Sequence, residues 1–204
     1  RFMSNYSSGK MGYEVAIAAK TMGATVKLIS GPVSLDPVKG VETQYVETSN
    51  EMYEAVMSNI KDFDILISTA AIADYKPANY SKTKYKKNQN NISIEFKRGI
   101  DIITTVSNKY KNIYTVGFAA ETDSLKKNSL DKLTKKNLNM IVGNIANHEL
   151  KLGFESDYNE VTIFTKNKSL KIALSKKSEI AKSVLSAIAD DYTSNIKLIN
   201  KHAK

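Results

Sequence analysis

No cysteine or tryptophan occurs among the 204 residues, and there are only three prolines and two histidines. The first absence removes disulfides, thiolate nucleophiles and cysteine-ligated metals, and it fits a reducing compartment. His148 and His202 are too few and too far apart for a zinc cluster, so neither is assigned a catalytic role. No apolar run is long enough to cross a bilayer and no secretory segment opens the chain, so the sequence reads as cytoplasmic, without a membrane partner. What the chain has in excess is positive charge: 30 basic against 21 acidic residues, a formal net charge of +9. Much of the lysine lies in 82–87, in 126–136 and in the tail. Such a balance suits anionic small molecules and nucleic acid alike. An apolar fraction of 42% at this length can bury one substantial core, so a single main domain is expected.

The pattern alternates between strand and helix, with no internal repeat. Met11, Val15, Ala18 and Met22 recur at helical spacing, and Gly23 follows where a left-handed stop belongs. Residues 25–30 read as a short β-branched strand and 44–46 as another. Thr48 and Glu51 then stand at capping-box spacing ahead of a helix marked by Met52, Val56 and Ile60. Residues 64–68 are nearly continuously apolar, as in a parallel strand covered on both faces. The stretch 76–91, dominated by lysine and asparagine, reads as a long loop or flap. Further strands are expected at 92–96, 113–118 and 140–142, and helices at 101–110 and 124–136. A hairpin is expected over 160–174, then a last helix through Ile180, Val184 and Ile188, with 193–204 polar and frayed. The fold class is therefore α/β: a Rossmann-like three-layer arrangement around a mainly parallel central sheet.

Such a sheet holds its ligand beyond the carboxyl ends of its strands, which gathers Ala70, Ala71 and Asp74, Phe118 to Glu121, and Asn144 on one edge. Ser7-Ser8-Gly9-Lys10-Met11-Gly12 suits a turn that offers backbone amides and a helix dipole to phosphate. It also suits a plain glycine turn into a helix. The Walker pattern is absent, since Ser4 stands where that pattern has glycine and no hydroxyl follows Lys10; nor is there a Gly-x-Gly-x-x-Gly. Asp74 is placed to hold Mg²⁺ or to cap a turn. Lys84, Lys86 and Lys87, interleaved with Tyr80 and Tyr85, read as a cationic flap over phosphates, a solvated charge run, or a surface for single-stranded nucleic acid. Glu121 reads equally as a ligand or a helix cap. A polyphosphate-using enzyme leads these readings, ahead of a basic nucleic-acid-binding module and a nicotinamide-dependent oxidoreductase.

Several segments decide among them: residues 1–12, Ser30-Gly31-Pro32-Val33, Ala70 to Tyr75, Lys84 to Lys87, Val116 to Thr122 and Gly153 to Asn159. In this order they resemble bacterial phosphopantothenoylcysteine synthetase, with the likeness running from Arg1 to about Tyr192. The domain expectation becomes 1–192 for the synthetase and 193–204 for the tail. The resemblance implies a Mg²⁺-dependent ligase that joins 4′-phosphopantothenate to cysteine with CTP, through an acyl-cytidylate, in coenzyme A biosynthesis. It also implies a homodimer, with the hairpin as a dimer element, and fusion to or association with a flavin-dependent decarboxylase. Nucleic acid is not an expected partner.

Matched position by position, the resemblance assigns Lys84 to forming the acyl-cytidylate and Asn5 to its conversion with cysteine. Asn5, Ser7, Ser8 and Gly9 fall in the substrate-binding segment. Ser68, Thr69, Ala70 and Ala71 match a strand end lying along CTP, and Asp74 a carboxylate beside nucleotide and metal. Phe118, Lys132 and Lys136 match further CTP contacts; backbone groups near Phe118 would account for base choice. Ile100, Asp101, Ile102 and Ile103 match a backbone-contacting segment in which the family usually has Pro-Asp-Ile, and losing that proline leaves the loop less fixed. The family's first strand and Gly-Gly-Thr turn are expected upstream of Arg1, and without them the sheet has an open position beside its nucleotide edge.

Overall fold

The computed structural model describes residues 7–79, 93–145 and 156–202. Helix α1 spans Lys10–Thr21 and buries Tyr13, Val15, Ala16 and Ala18. Gly23, at φ 88°, ends it as the sequence implies, because its left-handed backbone is open to a residue without Cβ. Met22 falls just past the last turn and is 54% exposed rather than in the core.

Strands β1 (Lys27–Ser30) and β2 (Glu42–Tyr45) pair in parallel as a sheet of their own. Helix α2, Ser49–Asn59, starts on the expected capping box. Thr48 Oγ1 accepts from the Glu51 amide at 3.2 Å, and Glu51 Oε2 accepts from the Thr48 and Glu47 amides at 3.3 and 2.8 Å. A short 3₁₀ turn over Ile60–Asp62 leads to β3, Ile65–Ser68.

Where the loop was expected to begin, Tyr75–Pro77 forms β4, paired antiparallel with β5, Phe96–Arg98. The predicted strand at 92–96 thus shifts to start at Phe96 and lies in a separate ribbon, because nothing in so short a run fixes its partner. The remaining flap, residues 80–92, lies outside the described residues. Next come α3 (Ile102–Lys109), β6 (Tyr114–Glu121), α4 (Leu125–Lys135), β7 (Met140–Ile145), β8 (Tyr158–Thr165), β9 (Ser169–Lys176) and α5 (Lys177–His202). Fraying was expected from residue 193, yet α5 continues to His202; no glycine or proline interrupts its sequence.

The principal sheet has the order β3-β6-β7-β8-β9, parallel from β3 to β7 and antiparallel from β7 to β9. Side-chain alternation divides its core between two faces. Tyr114 and Val116 of β6 and Met140 and Val142 of β7 meet Val15 and Ala18 of α1 and Ile180, Val184 and Ile188 of α5. On the other face, Ala119 and Ile141 meet Ile103 of α3 and Leu133 of α4. Val46, Met52, Val56, Ile102 and Val106 continue that layer beneath α2.

β3 departs from expectation: it is half-buried at every position, not covered throughout. A groove separates it from β1, lined by Leu28 and Ile29 on one side, Ile65 and Ile67 on the other, Val15 and Ala16 of α1 above and Val56 of α2 below. The open edges of β1 and β3 therefore face the same apolar gap.

Candidate functional site

The carboxyl ends of β3, β6 and β7 converge on the first turn of α1, around a cleft lined by Thr69, Ala71, Phe118 to Ala120 and Asn144. Ser7, Ser8, Gly9 and Gly12 form its other wall. Two glycines permit this approach. Gly9 takes φ 77° at the N-cap, and a Cβ there would stand 2.7 Å from Val33 Cγ1. A Cβ on Gly12 would stand 2.6 Å from Thr69 Oγ1, so this position lets the helix touch the end of β3. Gly9, the N-cap of α1, offers no side chain to cap it, and no acidic residue occupies its first turn. A helix amide end of this kind is suited to an anion.

Ser68 ends β3 opposite Gly117 and, with Thr69 and Ala70, also borders the groove beside β1. Phe118, half-buried, packs toward the α1 and α5 face and into the cleft. Asp74 is exposed just before β4, and its carbonyl accepts from the Gly99 amide at 2.7 Å. Magnesium commonly takes one or two carboxylates together with substrate phosphates, so a lone exposed aspartate fits such an ion. Among the described residues no group of three or more His, Asp or Glu forms a metal cluster.

The remaining assigned residues sit on the opposite face. Ile100 is 42% exposed, whereas Ile102 and Ile103 bury their side chains in separate parts of the core and offer only backbone. Asp101 caps α3, accepting from the Thr104 amide at 3.1 Å, and pairs with Lys136 at 2.9 Å. Partial burial pushes the Asp101 carboxyl up, but the bonds from Lys136 and Thr104 hold it below the usual carboxylate range. Lys132 pairs with Glu121 at 2.6 Å, and Asn128 donates to the same carboxylate at 3.3 Å. Glu121 is therefore a partner for α4 rather than a helix cap. Phe118 and the two lysines consequently flank the β6 end from different faces of the sheet. Asn5 and Lys84 lie outside the described residues.

Sequence reasoning missed Lys177 and assigned nothing to Asn159; both line the cleft. Lys177 is 4% exposed, and burial pushes its ammonium pKa down, aided by Lys10 and opposed by Asp157. Its amide donates to the Asp157 carbonyl at 2.8 Å, while Lys10 Nζ meets Asp157 Oδ1 at 2.6 Å. A lysine in the first turn of a helix, where its charge opposes the dipole, was the available signal.

Comparison with known proteins identifies the family and the fold. Residues 1–192 match the model of the DNA/pantothenate metabolism flavoprotein C-terminal domain. The chain is 43% identical over 188 residues to the coenzyme A biosynthesis bifunctional protein CoaBC of Vibrio parahaemolyticus, covering 91% of this chain and 47% of that protein. It thus spans about half the length of the curated relatives it matches. A crystal structure of the C-terminal domain of a CoaBC protein superposes with a TM-score of 0.79 at 36% identity, covering 96% of this chain and 87% of the other. A Cab2 variant in complex with phosphopantothenate-cysteine shares the fold at TM-score 0.74 and 14% identity, covering 97% and 82%. With the motif order, the cleft and these matches in agreement, the chain belongs to the family of DNA/pantothenate metabolism flavoprotein C-terminal domains.

Proposed function

We propose that this chain is a phosphopantothenate–cysteine ligase that uses CTP in coenzyme A biosynthesis. The observation that carries the reading is the amide end of α1, whose N-cap is Gly9, facing the carboxyl ends of three parallel strands, in a chain of this family. The acid's carboxylate oxygen attacks the α-phosphorus of CTP, forming an acyl-cytidylate and expelling pyrophosphate. The cysteine amine then attacks the acyl carbon and loses a proton, and CMP leaves, giving phosphopantothenoylcysteine. A free carboxylate is a poor acyl donor, and the mixed anhydride supplies a good leaving group. Both half-reactions use one site.

In this reading Ser68 to Ala71 run along the nucleotide, while Phe118 and the backbone of Ile100 to Ile103 bound its base. Lys132 and Lys136 exchange their carboxylate partners for CTP oxygens, or share them. Asp74 would hold Mg²⁺, which supplies charge neutralisation to the triphosphate. Lys84 favours departure of pyrophosphate, and Asn5 orients the cytidylate for aminolysis. A homodimer and a covalently or non-covalently associated decarboxylase complete the proposed assembly; the relatives' printed name, bifunctional, supports the latter.

Incubation with phosphopantothenate, cysteine and each nucleoside triphosphate, followed by product mass, tests substrate and base together. Thermal-shift titration separates the competing readings: stabilisation by CTP with Mg²⁺, and not by NADPH or an oligonucleotide, is expected of the ligase. Lys84→Gln is expected to abolish pyrophosphate release in a folded protein. Asn5→Asp should accumulate cytidylate that cysteine consumes slowly; rapid consumption contradicts the assignment.

A further inference from the structure

Along β6, Ala119 and Glu121 share the face that packs on α3 and α4. Glu121 is the last residue of the strand and only 9% exposed, and α4 engages both of its carboxylate oxygens. Oε1 accepts from Lys132 at 2.6 Å and Oε2 from Asn128 at 3.3 Å. Asn128 also donates to the Asp123 carbonyl at 3.1 Å, at a helix start where the Ser124 side chain makes no capping bond of its own. Asn128, Lys132 and Lys136 stand four apart, a stripe of donors running down one face of α4 to its C-cap, and Asp101 takes the third.

Burying a carboxylate is costly, and a buried bridge seldom stabilises a fold more than apolar packing of the same volume would. What it supplies is a fixed position. Glu121 stays at the carboxyl end of β6, the edge where such a sheet takes its ligand, while the Lys132 side chain remains 43% exposed. An ammonium has three donors, so the bond to Glu121 leaves it able to hold a ligand oxygen as well.

We propose that Glu121 is a positioning residue: its buried carboxylate fixes the Lys132 ammonium where the nucleotide is held, without touching the nucleotide itself. This role rests on the ligase reading, in which Lys132 contacts CTP. Untethered, a lysine samples many rotamers, and ordering it on binding weakens affinity. The tether acts alike on bound CTP and on the transition state, so its loss raises KM and leaves kcat unchanged.

Glu121→Gln keeps the length and one acceptor but removes the charge, and Glu121→Ala removes the tether. A thermal melt checks that each is folded, and Glu121→Gln carries the test if Glu121→Ala is not. The KM for CTP is expected to rise about threefold in the first and about tenfold in the second, with kcat and the KM for cysteine held within about twofold. In a Lys132→Met background Glu121→Ala is expected to raise that KM no further; an equal effect in both backgrounds shows a role independent of Lys132 and overturns the proposal. Acylation of Lys132 by an N-hydroxysuccinimide ester, followed by peptide mass, reads the tether without turnover. Both variants are expected to label faster than wild type, and an unchanged rate overturns the proposal. Turnover of CTP by wild type with an unmoved KM in both variants overturns this role alone. A wild type that neither binds nor turns over any nucleoside triphosphate overturns the ligase reading and this role together.

Discussion

Asp101 caps α3 and holds Lys136, a residue also proposed to contact CTP. Because its folded pKa is depressed, its contribution to stability is complete above the ordinary aspartate value of about 3.9 and is lost as pH falls through the lowered folded value. Asp101→Asn keeps a competent cap and releases Lys136, so a stability cost of only ~0.5–1 kcal/mol is expected, with a flatter acid limb in denaturation from pH 5 downward. An acid limb as steep as wild type would contradict this. Asp101 was legible in the sequence as part of a matched segment, but its ion pair was not. Lys136 lies 35 positions further on, and only the packing of α4 against β6 and β7 brings the two together. Lys177 and Asn159 escaped for the same reason: their shared cleft arises from the antiparallel return of β8 and β9, which no local pattern specifies.

At the scale of elements, helix α4 lies tight against β7 because residue 143 has no side chain. A Cβ there would stand 2.6 Å from Ser129 Oγ and 2.8 Å from Leu125 Cδ1. Gly143→Ala is expected to destabilise by ~1–3 kcal/mol in chemical denaturation; an unchanged midpoint would show that α4 has room to shift. Ser129 Oγ is buried without a partner among the described residues, so Ser129→Ala is expected to be neutral or stabilising by up to about 1 kcal/mol. The capping box of α2, the glycine stop of α1 and the existence of β6 were readable, since each depends on neighbours a few residues away. The β4–β5 ribbon and the continuation of α5 were not. Three-residue strands carry too little alternation to reveal a partner, and the polar composition of the last segment concealed an uninterrupted helix.

At the scale of the whole molecule, an apolar groove between β1 and β3 interrupts the layered core among the described residues. Its volume is about 260 Å³. Because the groove is open to solvent, its apolar lining of Leu28, Ile29, Ile65 and Ile67 stays only partly buried. A strand here would find apolar helices on both faces and two open sheet edges to pair with. A peptide strand that pairs with either open edge is therefore expected to raise the melting temperature and to protect the β1 and β3 amides from exchange; equal melting and protection would contradict this reading of the groove.

The central claim is that one cleft, at the strand ends and the amide end of α1, activates an acid as a nucleotidyl anhydride and passes it to an amine. Its most direct test is mass analysis of products from phosphopantothenate, cysteine, Mg²⁺ and ¹⁸O-carboxylate-labelled acid with CTP. The expected result is phosphopantothenoylcysteine, pyrophosphate and CMP carrying one ¹⁸O. Product formed with no label in CMP, or no product with any nucleoside triphosphate, would contradict it.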